Sequence, residues 1–281
     1  MSDRQKVNET GEAKQKCALF ADYARYYDLL YKDKDYESEA DYVAGMIRCF
    51  HPTARSVLEL GSGTGIHAIH LAKKGYEVTG VEISTDMIGI ARSKASPHSH
   101  SPNPAFFQGD IRTVRLNRTY DTIIAIFHVM SYQTTNADIV AAFATVREHL
   151  GTGGIFLFDV WYGPAVLTER PTVRIKRMAD EGTAITRIAE PVMKPNENLV
   201  EVHYQVFVED RGNAAVKMLQ ETHVMRYFFL PELELLAARN GLHIMNAEEW
   251  LTGKPISANT WGAFFVMQMK SGQELPCQEQ I

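Results

Sequence analysis

The run Glu59-Leu60-Gly61-Ser62-Gly63-Thr64-Gly65 joins a short apolar stretch to a helix-forming one. Glycines at such a turn let the backbone approach a ligand closely, and the helix N-terminus adds unbonded N–H groups and a partial positive charge. The turn suits a carboxylate or a phosphate and by itself is compatible with several adenosine-containing ligands. A dinucleotide fingerprint would place its third glycine three positions after the second, where Ile66 stands instead. Glu82 closes the next apolar stretch roughly 20 residues on, where a carboxylate can accept hydrogen bonds from both hydroxyls of a ribose. Gly109-Asp110-Ile111 follows a third such stretch; Gly-Asp is ordinary turn chemistry, so Asp110 gains meaning from its register with the other two.

A second set of chemistry-bearing residues follows the fourth and fifth apolar stretches, in Phe127-His128-Val129-Met130-Ser131-Tyr132 and Asp159-Val160-Trp161-Tyr162. Ligands of open α/β sheets bind at the carboxyl ends of the strands, so these residues are expected to face whatever reacts. His128 and Tyr132 are the candidate catalytic groups, and Trp161 and Tyr162 either line an acceptor pocket or fill core. Farther on, His203, Glu221, His223 and Arg226 lie in alternating stretches. Alternation puts His203 with Glu201, or Glu221 with His223, on one face, either to bind an acceptor or as a solvated sheet face. Arg174-Ile175-Lys176-Arg177 reads as a solvated strand, although a diphosphate would suit it.

The elements that must hold these residues alternate in a way that fixes the fold class. Residues 34–48 carry a helical apolar period that Pro52 ends. Then come strand 56–60, helix 65–74, strand 77–83, helix 85–94, a loop over 97–104, strand 105–108, strand 120–127, helix 138–150 and strand 155–160. Near-continuous apolar strands between amphipathic helices indicate a doubly wound α/β domain, a mostly parallel seven-stranded sheet covered on both faces. Past Trp161 the pattern changes to strands at 173–178, 183–189, 200–208 and 221–229, an inserted antiparallel β cap, before helix 231–240 and strands 242–250 and 261–269 complete the core. The expected division is a disordered N-terminus at 1–16, a donor-binding core with an N-terminal helical lid at 17–167, the cap at 168–229, the end of the core at 230–270 and a polar tail at 271–281.

Composition narrows the partners. With 281 residues, 45% of them hydrophobic, the chain can bury one large core, and its net charge of −5 gives no footprint for the phosphate backbone of a nucleic acid. The three cysteines, Cys17, Cys49 and Cys277, are far apart and make no metal spacing, so a reduced cytoplasmic setting without structural zinc is expected. No stretch approaches the roughly 18 apolar residues of a membrane span, and no apolar leader precedes the core. The expected partner is a small-molecule acceptor, with neither nucleic acid nor membrane; a homodimer is compatible with the sequence.

Glu59, two positions before the first glycine, together with Glu82 and Asp110, makes the chain resemble the class I S-adenosylmethionine-dependent methyltransferases. A finer resemblance runs from about Tyr26 to Gly241, to the N,N-dimethyltransferases of nucleotide-linked amino sugars in antibiotic biosynthesis. It rests on Tyr27-Asp28-Leu29, Lys34-Asp35-Tyr36, Gly63-Thr64-Gly65-Ile66-His67, Ser84-Thr85-Asp86-Met87, Glu201-Val202-His203-Tyr204 and Glu221-Thr222-His223. The resemblance implies S-adenosyl-L-methionine as cofactor, Tyr27 and Tyr36 reaching over it, Met87 near its adenine, Asp110 at the adenine amino group and the cap shaping the acceptor pocket. The implied donor site is Tyr27, Tyr36, Glu59, Gly61, Ser62, Gly63, His67, Glu82, Ile83, Met87, Asp110, Ile111 and Phe127, and the acceptor side is Trp161, Tyr162, His203, His223 and Arg226. The amino-sugar enzymes carry a histidine where Tyr132 aligns, a departure on the acceptor side.

Methyl transfer from a sulfonium is an in-line displacement in which the protein chiefly aligns the nucleophile, and it requires no metal. An amine must first lose a proton and a hydroxyl needs a base during attack, so His128 and Tyr132 suit either an N- or an O-methyltransferase. The competing classes are an NAD-dependent oxidoreductase, disfavoured by the glycine spacing, and a donor-binding regulator without catalysis. Nucleic-acid methylation is opposed by the acidic balance and by the lack of an Asn/Asp-Pro-Pro-aromatic run after the fourth strand.

Overall fold

The computed structural model describes residues 21–95 and 103–270. The polar ends at 1–16 and 271–281 lie outside the described residues, as do Cys17, Cys277 and most of the loop at 97–104. Two helices, α1 (Ala21–Leu30) and α2 (Tyr36–Phe50), precede the alternating series β1 (Ser56–Leu60), α3 (Ile66–Lys73), β2 (Glu77–Glu82), α4 (Thr85–Lys94), β3 (Ala105–Gln108), β4 (Tyr120–Ala125), α5 (Asn136–His149) and β5 (Leu150–Tyr162). After α6 (Gly163–Glu169) come β6 (Arg174–Ala179), β7 (Thr183–Lys194), β8 (Leu199–Asp210) and β9 (Val216–Phe228), then α7 (Leu230–Arg239), β10 (Leu242–Glu249) and β11 (Gly262–Met269).

The core sheet runs β3-β2-β1-β4-β5-β11-β10, with β3, β2, β1, β4 and β5 parallel and β11 antiparallel to both neighbours. Its central strands are buried on both faces, which is why they read as continuous apolar runs. Alternate residues feed two cores. Leu58, Ile123, Phe156, Phe158 and Phe265 pack toward α5 and α7, while Val57, Ile124, Leu157 and Phe264 pack toward α2 and α3. The Phe156 and Phe158 rings lie 4.6 Å apart and Phe158 and Phe265 5.5 Å apart, a stack whose truncation would cost about 3–5 kcal/mol per ring. The strand order reverses between β1 and β4, and a crevice opens there at the carboxyl ends of the strands.

Strands β6 to β9 form a four-stranded antiparallel meander. It is joined to the core sheet where the end of β9 pairs in parallel with the end of β5, Trp161 opposite Tyr227 and Tyr162 opposite Phe228. The strands differ from the sequence expectation at several ends, each for a local reason. β4 stops at Ala125 because Phe127 and His128 adopt left-handed backbone angles (φ 69 and 63). β5 begins at Leu150, taking the Gly151-Thr152-Gly153-Gly154 run that reads as a breaker into the strand. β7 continues through Pro191; β6 reaches only to Ala189, so Pro191 lies on an edge, where a missing N–H is tolerated. Helix α1 falls in the expected N-terminal helical lid, for which the sequence gave no bounds there, and α6 was not anticipated; α6 hides behind Gly163-Pro164, which supplies the proline of a first helical turn. Among the described residues no helix is long and apolar enough to cross a membrane.

Candidate functional site

The glycine loop folds back on β2: the N–H groups of Gly61 and Ser62 both donate to the Val81 carbonyl, at 2.8 and 3.0 Å. Gly61, Gly63 and Gly65 all have positive φ, from 54 to 77, in the left-handed region that favours glycine. At Gly61 a Cβ would stand 2.6 Å from the Val129 side chain, and at Gly65 2.6 Å from the Phe106 ring, so bare backbone is required twice over. Glu82 is buried and accepts from the Gly63 N–H and the Ser84 N–H, each at 2.9 Å and each on a different oxygen. The Ile83 N–H also bears on the carboxylate, and since an ionised carboxylate has about four acceptor positions, some acceptor capacity remains. Burial raises the Glu82 carboxyl above its usual range despite those donors.

Beneath the loop lies a buried charge cluster. Glu59 is 1% exposed and stands under the loop rather than on the cavity wall, with Oε2 lacking a hydrogen-bond partner. Burial, and then the nearby Glu82, push its carboxyl up to about 8, only partly offset by the Lys34 charge. His67 Nε2 is 2.7 Å from Glu39 Oε2, and its Nδ1 is 3.8 Å from Glu59 Oε1. Burial disfavours the imidazolium of His67 more than Glu39 favours it. Lys34 pairs with Glu39, and its ammonium sits 4.0 Å from the Phe127 ring centroid and 4.3 Å from that of Tyr36.

Helix α1 straps across the cavity. Asp28 accepts from the Thr64 hydroxyl at 2.8 Å and pairs with Lys94 at 2.6 Å, tying the helix to the glycine loop and to α4. On its other flank the Tyr31 hydroxyl accepts from Arg187 on β7 at 3.0 Å, and the loop residue Asp33 pairs with Lys176 on β6. The helix thereby touches both the core and the antiparallel strands.

One cavity of about 550 Å³ results, reaching from the glycine loop to the inner face of the meander. Its donor end is lined by Tyr27, Tyr36, Gly61, Ser62, Gly63 and His67, and by Glu82, Ile83, Met87, Asp110, Ile111 and Phe127. Asp110 accepts from Arg112 with both oxygens, at 2.5 to 3.0 Å, and Arg112 also pairs with Asp138, so an adenine amino group there would share acceptors with that guanidinium. His128, Tyr132, Trp161 and His223 line the other end, with Arg174, Arg187 and Tyr204. His128 Nδ1 lies 2.6 Å from Asp159 Oδ2, and Asp159 Oδ1 accepts the His128 backbone N–H at 3.0 Å. The left-handed turn and the ring are thereby fixed together, with Nε2 the ring nitrogen left for a ligand. Burial works against the Asp159 charge, but His128 holds the carboxyl below its usual range. The Tyr132 hydroxyl is 2.8 Å from His223 Nδ1, and His223 Nε2 is 3.0 Å from Glu221 Oε2.

Three expected acceptor residues are elsewhere, and the two-residue period of strands explains each. On β9, Glu221 and His223 share the inward face while Arg226 faces away, bonded to Asn136 and paired with Glu232. His203 on β8 also faces outward, bonded to the Thr222 hydroxyl, while Val202 and Tyr204 face the cavity. Trp161 lines the cavity, so its neighbour Tyr162 points to the opposite side and is buried in the core. Asp28, Tyr31, Lys34, Arg187 and Tyr204 belong to the site although none was a named candidate, and so does Asp159, which opens the run after the fifth apolar stretch. Asp28, Lys34 and Tyr204 lie in the runs that carry the family resemblance; Tyr31 and Arg187 gave no comparable signal. Among the described residues no group of three His, Cys, Asp or Glu side chains is placed to hold a metal ion.

Residues 57–154 match the methyltransferase domain family. Over 236 residues the chain is 30% identical to a dTDP-3-amino-3,4,6-trideoxy-alpha-D-glucopyranose N,N-dimethyltransferase of Streptomyces venezuelae, covering 83% of this chain and 94% of that protein. It is also 30% identical over 241 residues to a dTDP-3-amino-3,6-dideoxy-alpha-D-glucopyranose N,N-dimethyltransferase of Streptomyces fradiae, covering 84% and 89%. Among solved structures, DesVI of Streptomyces venezuelae superimposes with a TM-score of 0.74 at 27% identity, over 88% of this chain and 98% of that one. CalS10, an amino pentose methyltransferase of Micromonospora echinaspora solved with S-adenosylmethionine bound, gives 0.70 at 25% identity, over 89% and 98%.

Proposed function

Because the chain belongs to the S-adenosylmethionine-dependent methyltransferases, alongside the nucleotide-amino-sugar N,N-dimethyltransferases, we propose that its acceptor is the amine of a nucleotide-linked amino sugar. The observation that carries this reading is the single cavity that joins the glycine loop to the inner face of the meander, with cations at one end and proton acceptors beside the turn after β4. S-adenosylmethionine, when bound, supplies a methyl group on a sulfonium, so what remains for the protein is to align the amine and take its proton.

The donor end fits that group. Glu82 lines the cavity with acceptor capacity for a ribose hydroxyl, and Ile83, Met87 and Ile111 offer apolar walls to an adenine. The buried Glu59, its Oε2 unpartnered, stands below the loop, where a cationic ligand head would favour its ionised form over the neutral one that burial favours. Tyr27 and Tyr36 close the cavity from the lid side. At the acceptor end, Arg174 and Arg187 are the cations suited to a diphosphate, and residues 168–229 act as the cap that shapes the pocket. His128, held by Asp159, and Tyr132 are the side chains assigned to the reacting amine.

The test is incubation with S-adenosylmethionine and dTDP-3-amino-3,6-dideoxyglucose, followed by mass spectrometry. The expected product carries one or two added methyl groups, with poor turnover of the same amino sugar lacking its nucleotide. Donor binding by calorimetry with no methylated product from any nucleotide amino sugar would overturn the acceptor assignment.

A further inference from the structure

The turn after β4 places Tyr132 at the cavity wall, and behind it β9 supplies a second and a third group in line. Tyr132 Oη to His223 Nδ1 is 2.8 Å, and His223 Nε2 to Glu221 Oε2 is 3.0 Å. We propose that Tyr132, His223 and Glu221 form a proton relay that deprotonates the acceptor ammonium before each methyl transfer, with Tyr132 touching the substrate and His223 and Glu221 acting through it. This deepens the amino-sugar reading above and rests on it for its substrate.

The hydrogen-bond chemistry fixes the direction. An ionised carboxylate only accepts, so Nε2 of His223 carries the proton toward Glu221, and Nδ1 of the neutral ring is left to accept from the phenol. Burial disfavours the Tyr132 phenolate, so the hydroxyl is unsuited to holding a negative charge and suited to passing a proton through. In the step, an N–H proton of the acceptor moves to Tyr132 Oη as the phenol proton moves to His223 Nδ1, leaving an amine lone pair and an imidazolium beside Glu221. The lone pair then attacks the methyl carbon, and the C–S bond breaks with its electron pair on sulfur. The imidazolium proton leaves past Glu221, which also borders a second hollow of about 240 Å³ shared with His203, Gln205 and Gln220. The other titratable groups around the relay are Tyr204 on β8, its ring 4.8 Å from that of His223, then Arg187 over Tyr204, and Tyr31 bonded to Arg187.

The experiment compares Tyr132→Phe, His223→Asn, their double variant, and Tyr132→His with and without His223→Asn, all with dTDP-3-amino-3,6-dideoxyglucose. Each single change is expected to lower kcat roughly 10²-fold with donor affinity by calorimetry held within about twofold, and the double variant to be no worse than either single one. Tyr132→His restores a direct imidazole, so activity recovers to within about 10-fold of wild type and His223→Asn then costs less than about threefold. Glu221→Gln removes the counter-charge of the imidazolium, which moves the ascending limb of the kcat–pH profile to lower pH and lowers its plateau. Multiplicative losses in the double variant, an effect on KM alone, or an unmoved pH limb would overturn the relay. If wild type methylates no amino sugar, the acceptor reading fails, and the relay is still read by nitrogen NMR of His223 in the donor complex. The Nε2–H tautomer upholds the relay; the Nδ1–H tautomer, in which the ring donates to Tyr132, overturns it.

Discussion

The two ends of the cavity are built by different means. Apart from Tyr27, Tyr36 and Phe127, the donor end comes from one stretch of chain, residues 59–111, and its loop is made largely of backbone: three left-handed glycines, N–H groups on Glu82 and a helix start. The acceptor end gathers side chains from α1, the turn after β4, the end of β5 and β7 to β9, segments far apart in sequence. A backbone site tolerates little change in shape, whereas a side-chain site can be rewritten one residue at a time. That contrast fits a family match that spans the donor loop, residues 57–154, while the acceptor end is left to individual side chains.

The comparison breaks most sharply at Gly61. Gly61→Ala must accept a Cβ 2.6 Å from Val129 at φ 72, a strain of about 2–5 kcal/mol. Donor affinity by calorimetry is expected to fall at least roughly 10²-fold, and unchanged binding would mean the loop is not the donor cradle. On the other side, Arg187→Met should raise KM for a nucleotide-linked acceptor about 10-fold and leave donor affinity within about twofold, since a charge-assisted contact contributes about 1.5–3 kcal/mol. An equal loss of donor affinity would erase the distinction between the ends.

Glu59 sharpens the comparison through pH. Its folded-state carboxyl titrates at about 8 against an ordinary 4.5, so its stabilising contribution is fully present below about 4.5 and is lost as pH rises toward 8. The donor-free protein should lose up to about 1.4 kcal/mol per pH unit from this group across that window, measured by denaturant unfolding as the difference from Glu59→Gln. A parallel pH dependence in the two proteins would refute the burial-raised carboxyl of Glu59. The smallest effect is expected at the strap. Asp28→Ala removes the bonds to Thr64 and Lys94, for about 1 kcal/mol, so donor affinity should fall about fivefold, with faster amide exchange in α1.

How much was legible follows from how local each feature is. The strands β1 and β2 were read at or near their observed ends because a strand buried on both faces writes itself as an apolar run, whereas the exposed edge strand β3 was bounded by the loop before it and by Gly109-Asp110 after it. The glycines and strand-end acids of the donor side are local patterns, while Tyr27, Tyr36 and Met87 were implied by the resemblance; all of them line the cavity except Glu59, which lies beneath the loop. His203, Arg226 and Tyr162 were misplaced because alternation states which residues share a face but not which face looks inward. That choice is made by the β8–β9 register, Val202 opposite His223, and by the pairing of Trp161 with Tyr227.

The sequence by itself determined a doubly wound sheet and a glycine loop with its three acids, because each depends on neighbours within a few residues or on strand burial, and the family resemblance those residues carry implied a methyl donor as the ligand. Only the tertiary structure decided that Asp28 straps α1 over the loop, that Asp159 fixes His128 and that His223 and Glu221 stand behind Tyr132. The physical reason is reach. A hydrogen bond acts over about 3 Å, and the chain offers no local mark of which distant side chain will arrive within it until sheet register and packing have set every strand in place.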